Sequence, residues 1–449
     1  MDRSGQEGVM GWVAWLKGQL GADALATRLL VGVSWTTIGN LVSSAATLAG
    51  VIVLARNFGP AKFGQFGVVQ NTLGYLGVLV GPSLGLTATR YVAQLRSTDP
   101  ERLGRILRLV NRVTYLLSCL AASIIFLGAV SISDHLFRAP GMAPGFRAGA
   151  FVLLFTAVNG VQVGALCGFE AFRAIAIVNI VRGAITLPLL WACGKVWGPV
   201  GAIWGLAGSW GGACFVSGLY FRRFIKEYRV PLGAKGSWRE ACILLDFSIP
   251  GWIGGVVAGV GNWIGIVIVA RQSDGMAQTG LISAANQLFL LLMFLPQIIN
   301  QSALPILSER QGAKDEVGAR TVFWGLVKMN LLATVPVGLA FSLASPLVMG
   351  RFGAGFVQGW PVLVLSVLAV PIYAVAMAGI NQITAYGRMW VSMAIYFSYL
   401  IVFVGVSLLM SQHGAMGFAT ARILSFVTFG SFALLVVIRH QSSTSFQEA

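Results

Sequence analysis

Acidic side chains are scarce in this sequence: 15 Asp and Glu stand against 31 Lys and Arg in 449 residues, for a formal net charge of +16. Charge of either sign is thin, at 10% of residues, while 56% are hydrophobic and the mean hydropathy is +0.79. Soluble domains of this total length would need more polar surface than that, so an integral membrane protein is expected. Cysteine and histidine are also sparse. Cys119, Cys167, Cys193, Cys214 and Cys242 lie in or beside apolar stretches without a CxxC pair, and His135, His413 and His440 stand far apart. Neither a disulfide framework nor a metal site is expected from them. No nucleotide-binding glycine loop, no nucleophile and base at a recognisable spacing, and no soluble stretch long enough for an ATPase is present. The chain is therefore not expected to be an enzyme or to carry a cofactor, and transport would run on a proton or sodium gradient or on the substrate's own gradient. The basic surplus is spread over loops and helices rather than gathered with aromatics in one domain, which argues against nucleic acid.

What is abundant is the apolar run. Segments of roughly 18 residues or more recur, the length of helical spans rather than of barrel strands. Twelve are expected, at 29–55, 64–86, 108–132, 148–168, 174–194, 200–221, 241–270, 280–306, 321–349, 360–385, 389–411 and 415–438. The polar stretch 222–240 divides them into six plus six, an N-lobe (29–221) and a C-lobe (241–438) joined by a linker. Residues 1–28 lack a signal-peptide pattern, and their stripe of Trp12, Val13, Trp15, Leu16 and Leu20 predicts an interfacial helix. Even-numbered loops and the termini hold about 19 Lys and Arg against about 7 in the odd loops, which places both termini, including the tail 439–449, in the cytoplasm.

A faint repeat supports two halves. Val51–Arg96 aligns without a gap on Ile266–Gln311, with Ala55-Arg56 on Ala270-Arg271, Asn71 on Asn286, and Pro82 within a turn of Pro296. Six spans per half make the repeat parallel, with its pseudo-two-fold along the membrane normal and function between the halves. Glycine, at 56 residues, recurs in small-xxx-small spacings such as Gly77-Gly81-Gly85 and Gly251-Gly255-Gly259, suited to close helix packing or to sliding. Pro82, Pro250, Pro296, Pro336 and Pro371 fall inside spans, where each can bend its helix.

Polar groups within the spans need partners or water. Thr36, Asn40, Ser43 and Thr47 share one face of the first span, Thr156, Asn159 and Gln162 mark the fourth, and Ser283, Asn286, Gln297 and Gln301 the eighth. Such faces serve either as polar glue between helices or as a cavity wall. Arg182, beside Asn179 and Thr186, lies near the middle of its span, where a charge costs about 2.5–3.5 kcal/mol on insertion scales. Lys328, Arg422 and Arg112 are shallower, so a lumenal position competes with snorkelling. One clear acid sits inside a span, Asp246. A cavity with surplus cations attracts an anion, and phosphate or pyrophosphate suits the forked donors of arginine.

The stretch LARNFGPAKFGQFGVVQ, the helix end GPSLGLTATRYVAQLR and the later LLDFSIPGW resemble the Wzx-type oligosaccharide flippases of the multidrug/oligosaccharidyl-lipid/polysaccharide exporter superfamily. The resemblance implies a V-shaped pair of six-helix lobes in the bacterial inner membrane. It also implies a substrate, an undecaprenyl-pyrophosphate-linked repeat unit moved between leaflets, with a polysaccharide polymerase and glycosyltransferases as neighbours. It adds Arg56, Arg90 and Arg271 to the candidate cations, with Arg56 and Arg271 at the outer ends of their helices; Arg90 is equally readable as a cytoplasmic anchor. Asn40, Asn71, Asn159, Asn179, Asn286 and Asp246 are the candidates for cavity lining and gating. Two other readings stay open. An ion-coupled multidrug antiporter would need a carboxylate in an N-lobe helix, and the first span has none; a non-transporting scaffold for glycan assembly would tolerate loss of Arg182 and Lys328.

Overall fold

The computed structural model describes residues 23–80, 82–231, 256–257, 259–312 and 315–445. Every long element among them is a helix: α1 (Asp23–Val80), α2 (Pro82–Leu95), α3 (Pro100–Ser131), α4 (Ala143–Gly168) and α5 (Phe172–Glu227) in the first half. The second half holds α6 (Gly259–Ala270), α7 (Gly275–Leu292), α8 (Phe294–Gly312), α9 (Glu316–Leu343), α10 (Ser345–Phe352), α11 (Trp360–Ala385), α12 (Met389–Leu409) and α13 (Gly414–Ser445). An all-α membrane fold is what the composition requires, because a helix satisfies its own backbone in hydrocarbon. Nine helices among the described residues are long and apolar enough to cross a membrane. Two of them are bent pairs. The apolar region Trp35–Val78 of α1 runs 44 residues and α5 runs 56, about twice and nearly three times what a bilayer core of about 30 Å needs at 1.5 Å per residue.

Both bends are Gly-Pro pairs. Gly59 has φ 69° and ψ 174°, and Gly198 has φ 61° and ψ −145°, each followed by proline at the start of the next arm. The residue before proline is driven out of the α region, only glycine takes this positive φ without strain, and proline at a first helical position has no N–H to orphan. A Cβ added at Gly59 meets no atom within 4 Å, so Gly59→Ala isolates the backbone term. It should cost about 1–3 kcal/mol and lower the midpoint of a thermal melt in detergent by a few degrees. An unchanged midpoint would mean that the bend is not under this constraint.

Within the first half α1 packs along α5, α5 on α4, and α4 on α3 and α2; within the second, α11 packs on α13 and α9, and α13 on α12. Across the halves the principal contact is the second arm of α1 on α7. The apolar core explains the shape. One buried cluster joins both halves, and its members from the first half come from the Gly59 end, including Phe63, Phe66, Val69, Phe146 and Ile203. At the other end the halves part: Leu84, Val92, Leu103, Val110 and Leu166 form a core of the first half alone, and Leu307 with Leu326 one of the second. The molecule is a V closed at the Gly59 end, the end where the charge count expects the outer face. Large apolar side chains such as Leu127, Leu343 and Leu409 stand more than four-fifths exposed, as suits contact with lipid.

Candidate functional site

The site begins where the two halves touch. On α1, Gly64 and Gly67 face α7, where a Cβ on Gly64 would run into the Met276 carbonyl and one on Gly67 into the Ser283 hydroxyl. From the other side, a Cβ on Gly280 would meet the Pro60 carbonyl. The backbones therefore approach as closely as glycine permits, a small-residue seam of the kind that holds helices together in lipid. Asn71 spans it, donating through Nδ2 to Gly67 O at 2.7 Å and to Ser283 Oγ at 3.4 Å, and Gln287 Nε2 donates to Gln70 Oε1 at 3.3 Å. Trp263 Nε1 reaches Thr72 Oγ1 at 3.3 Å.

At the Gly59 end the seam is latched twice. Arg56 Nε donates to the carbonyl of Arg351 at 2.6 Å, and Arg271 Nη2 to the carbonyl of His135 at 3.4 Å. Arg351 lies in the last turn of α10 and His135 in a π-helical turn after α3. Each guanidinium thus caps carbonyls at a helix C-terminus of the opposite half, where positive charge is favourable. Arg56 and Arg271 are the aligned residues of the repeat, and their contacts are reciprocal.

Past the seam the arms diverge around a cavity of about 520 Å³. Asn71, Tyr75, Asn262, Asn286, Tyr399 and Arg422 are among the side chains lining it, and no acidic side chain is among the described residues that do. Arg422, two turns into α13, is only 3% exposed. Its Nη2 donates to Asn286 Oδ1 at 3.2 Å, and its guanidinium lies between the rings of Phe289 and Phe418, 4.7 and 4.9 Å from their centroids. The aromatic faces hold the plane in place. Asn286 is the one hydrogen-bond acceptor that the described residues give this five-donor group, which leaves donors for an anion. Tyr399 accepts from Asn262 Nδ2 at 2.9 Å, its ring stacked on Phe426 one turn beyond Arg422.

The other sequence candidates are not gathered here. Arg182 stays inside the first half, stacked 4.3 Å from the Trp210 centroid, with its Nε buried and unpaired. Asn179 donates to Asn40 at 2.9 Å, and Ser43 is fully buried beside Gly183, so the polar face of the first span packs largely on α5. Asn159 donates to Ser217 at 2.9 Å, tying α4 to α5. Lys328 shares the exposed face of α9 with Trp324, Leu331 and Leu332, the snorkelling position. Arg90 is exposed at the far end of α2 against the Tyr91 ring, and Arg112 lies on the flank of the first half. Asp246 falls outside the described residues, as does the Gln301 side chain. Sequence reasoning passed over Tyr75, Asn262, Gln287, Tyr396 and Tyr399. Tyrosine within an apolar run reads as core, and only the i, i+3 spacing of Tyr396 and Tyr399 gave a signal. It also passed over Asn330, which accepts from Asn300 at 3.2 Å inside the second half.

A family model described as polysaccharide biosynthesis protein matches residues 29–311. The EPS I polysaccharide export inner membrane protein EpsE of Ralstonia nicotianae is 26% identical over 383 residues, covering 83% of this chain and 85% of the relative. The Lipid III flippase of Escherichia coli is 30% identical over 173 residues, 38% of this chain and 41% of its own. Among solved structures, an inward-facing multidrug resistance MATE family transporter of the MOP superfamily superposes with TM-score 0.74 at 13% identity, over 92% of this chain and 99% of that one. The Lipid II flippase MurJ, inward closed, superposes with TM-score 0.71 at 13% identity, over 90% and 87%. These structures share the two-lobed fold, and the relatives are transporters and flippases rather than enzymes. With a family match across well over half of its length, the chain belongs to the polysaccharide biosynthesis protein family.

Proposed function

We propose that this protein flips a lipid-linked oligosaccharide across the inner membrane, the carrier being undecaprenyl pyrophosphate and the cargo a polysaccharide repeat unit. The observation that carries the reading is Arg422. A cation buried between two phenylalanines, with one polar partner and no acid lining its cavity among the described residues, is costly unless the protein uses it on an anion. The pyrophosphate is that anion, and the tyrosines and amides of the same cavity suit a sugar's hydroxyls. The export protein and the lipid flippase among its relatives support the same class of cargo.

In this reading the V opens toward the cytoplasm, which holds both termini. Pyrophosphate enters between the arms and pairs with the Arg422 donors that the bond to Asn286 leaves over. Release to the other side requires the glycine seam and the Arg56 and Arg271 latches to part. Arg56 and Arg271 are then gate residues and bind no cargo while the gate is shut. An ion-coupled multidrug antiporter would want a carboxylate in the cavity, and the described residues lining it supply none.

Deleting the gene should leave lipid-linked repeat units on the cytoplasmic leaflet and strip the surface of the corresponding polysaccharide, both restored by the wild-type gene. Leaflet position is read by protection of the glycan from a membrane-impermeant oxidant in oriented vesicles. Unaltered surface glycan in the deletion strain would sink the proposal.

A further inference from the structure

A second concavity lies on the flank of the first half, and the transport reading makes no use of it. Helices α3, α4 and α5 enclose about 470 Å³ there. Arg108, Asn111 and Arg112 come from α3, the two arginines one turn apart; Gln162 comes from α4 and Arg222 from the last turns of α5. Gln162 is fixed in place, since its Oε1 accepts from the Ser217 hydroxyl, which itself accepts from Asn159. Gly218 forms part of the floor, where a Cβ would stand 3.3 Å from Gln162 Nε2; glycine keeps that space open. Among the described residues no acidic side chain lines the cavity, and none is shared with the central one.

Its level and its rim fit a lipid. Arg108 lies about 12 Å along α3 from Pro100 and Arg222 about 8 Å short of the end of α5 at 1.5 Å per residue, and these two helix ends lie together, Gly104 against the Pro231 backbone. That is the depth of headgroups and the first acyl carbons. The rim carries Tyr115, Phe215 and Leu219, all largely exposed, Phe215 at 68%. Arginines that only set topology project separately into water. Here two helices turn three guanidiniums onto one concavity with amides between them, a set of forked donors that suits the oxygens of a phosphate.

We propose that this flank cavity binds the phosphate headgroup of a membrane lipid taken sideways from the leaflet, with the guanidiniums on the phosphate oxygens and the chains along Phe215 and Leu219. Two sources carry that chemistry, ordinary anionic phospholipid and the pyrophosphate carrier. The site is independent of the transport reading.

The test is native mass spectrometry of the full chain in detergent, titrated separately with phosphatidylglycerol, with undecaprenyl pyrophosphate, and with a phosphate-free glucosyl-diacylglycerol. Wild type should retain one phosphate lipid at least tenfold better than the glucolipid. The triple variant Arg108→Gln/Arg112→Gln/Arg222→Gln should lose at least tenfold in that binding, and Arg422→Gln should leave it unchanged for phosphatidylglycerol. Gly218→Leu, which fills the floor and keeps all three charges, should lose the same lipid. A loss for phosphatidylglycerol assigns the site to bulk lipid, and a loss confined to undecaprenyl pyrophosphate assigns it to the carrier. If both the triple variant and Gly218→Leu bind both phosphate lipids as wild type does, the proposal is overturned.

Discussion

Arg422→Ala should abolish polysaccharide export while the protein still reaches the membrane in normal amount. Each charge-assisted hydrogen bond contributes about 1.5–3 kcal/mol, so removing a fork that makes two of them to a phosphate should slow transport about a hundredfold or more. Stability should move the other way or stay put. Arg422 is 3% exposed, with one hydrogen-bond partner and no counter-charge among the described residues, and deleting such a buried charge removes a desolvation cost. A structural arginine would instead lose melting temperature and transport together. Arg422→Lys separates charge from geometry. The ammonium keeps the charge but neither forks onto a phosphate nor lies flat between Phe289 and Phe418, so export should be partial. Measured as cell-surface polysaccharide against melting temperature in detergent, full export by Arg422→Ala would end the assignment of Arg422 to substrate.

Gly280→Leu should drive the protein out of the conformation described here. The Cβ alone already collides with the Pro60 carbonyl, a backbone atom that cannot swing aside, and three further carbons follow it. Overpacking of this kind costs about 1–3 kcal/mol per modest insertion, and about 5.5 kcal/mol carries a two-state equilibrium from 99:1 to 1:99. The separation can be read near Phe63 and Phe356, whose rings sit 5.6 Å apart across the seam, with spin labels on Lys62→Cys and Val357→Cys in a background without the native cysteines. The short distance should dominate in the parent and nearly vanish in Gly280→Leu. Gly67→Ala, which displaces a side-chain hydroxyl rather than backbone, should have a smaller effect. A short distance kept in Gly280→Leu would show that the seam is not the closed gate.

Residue by residue, what was legible in the chain depended on whether one helix or two decided it. The repeat pointed to Arg56 and Arg271 as equivalent residues at helix ends, and their reciprocal bonds to Arg351 and His135 are the physical form of that equivalence. Asn71 and Asn286 are aligned polar groups within apolar spans, and both line the central cavity. Neither the Gly64 and Gly280 contacts nor the partner of Asn71 was legible, because glycine is so frequent here that spacing alone does not say which copies meet another backbone.

The sequence by itself determined that this is a helical membrane protein with surplus cations inside its spans and two related halves. Those properties follow from composition, from run length and from the cost of an unsatisfied backbone in lipid, none of which needs a neighbour. Only the tertiary structure decided where each cation lies. Lys328 and Arg422 look alike in the chain, both basic and both a little inside an apolar run. The packing of α9 leaves Lys328 exposed beside Leu332, while the packing of α13 on α7 and α11 seals Arg422 against Asn286 at the meeting of the two halves. A helix's own periodicity tells which residues share a face; which neighbour that face meets is settled by the bends at Gly59 and Gly198 and by the glycine seam, contacts between residues far apart in the chain.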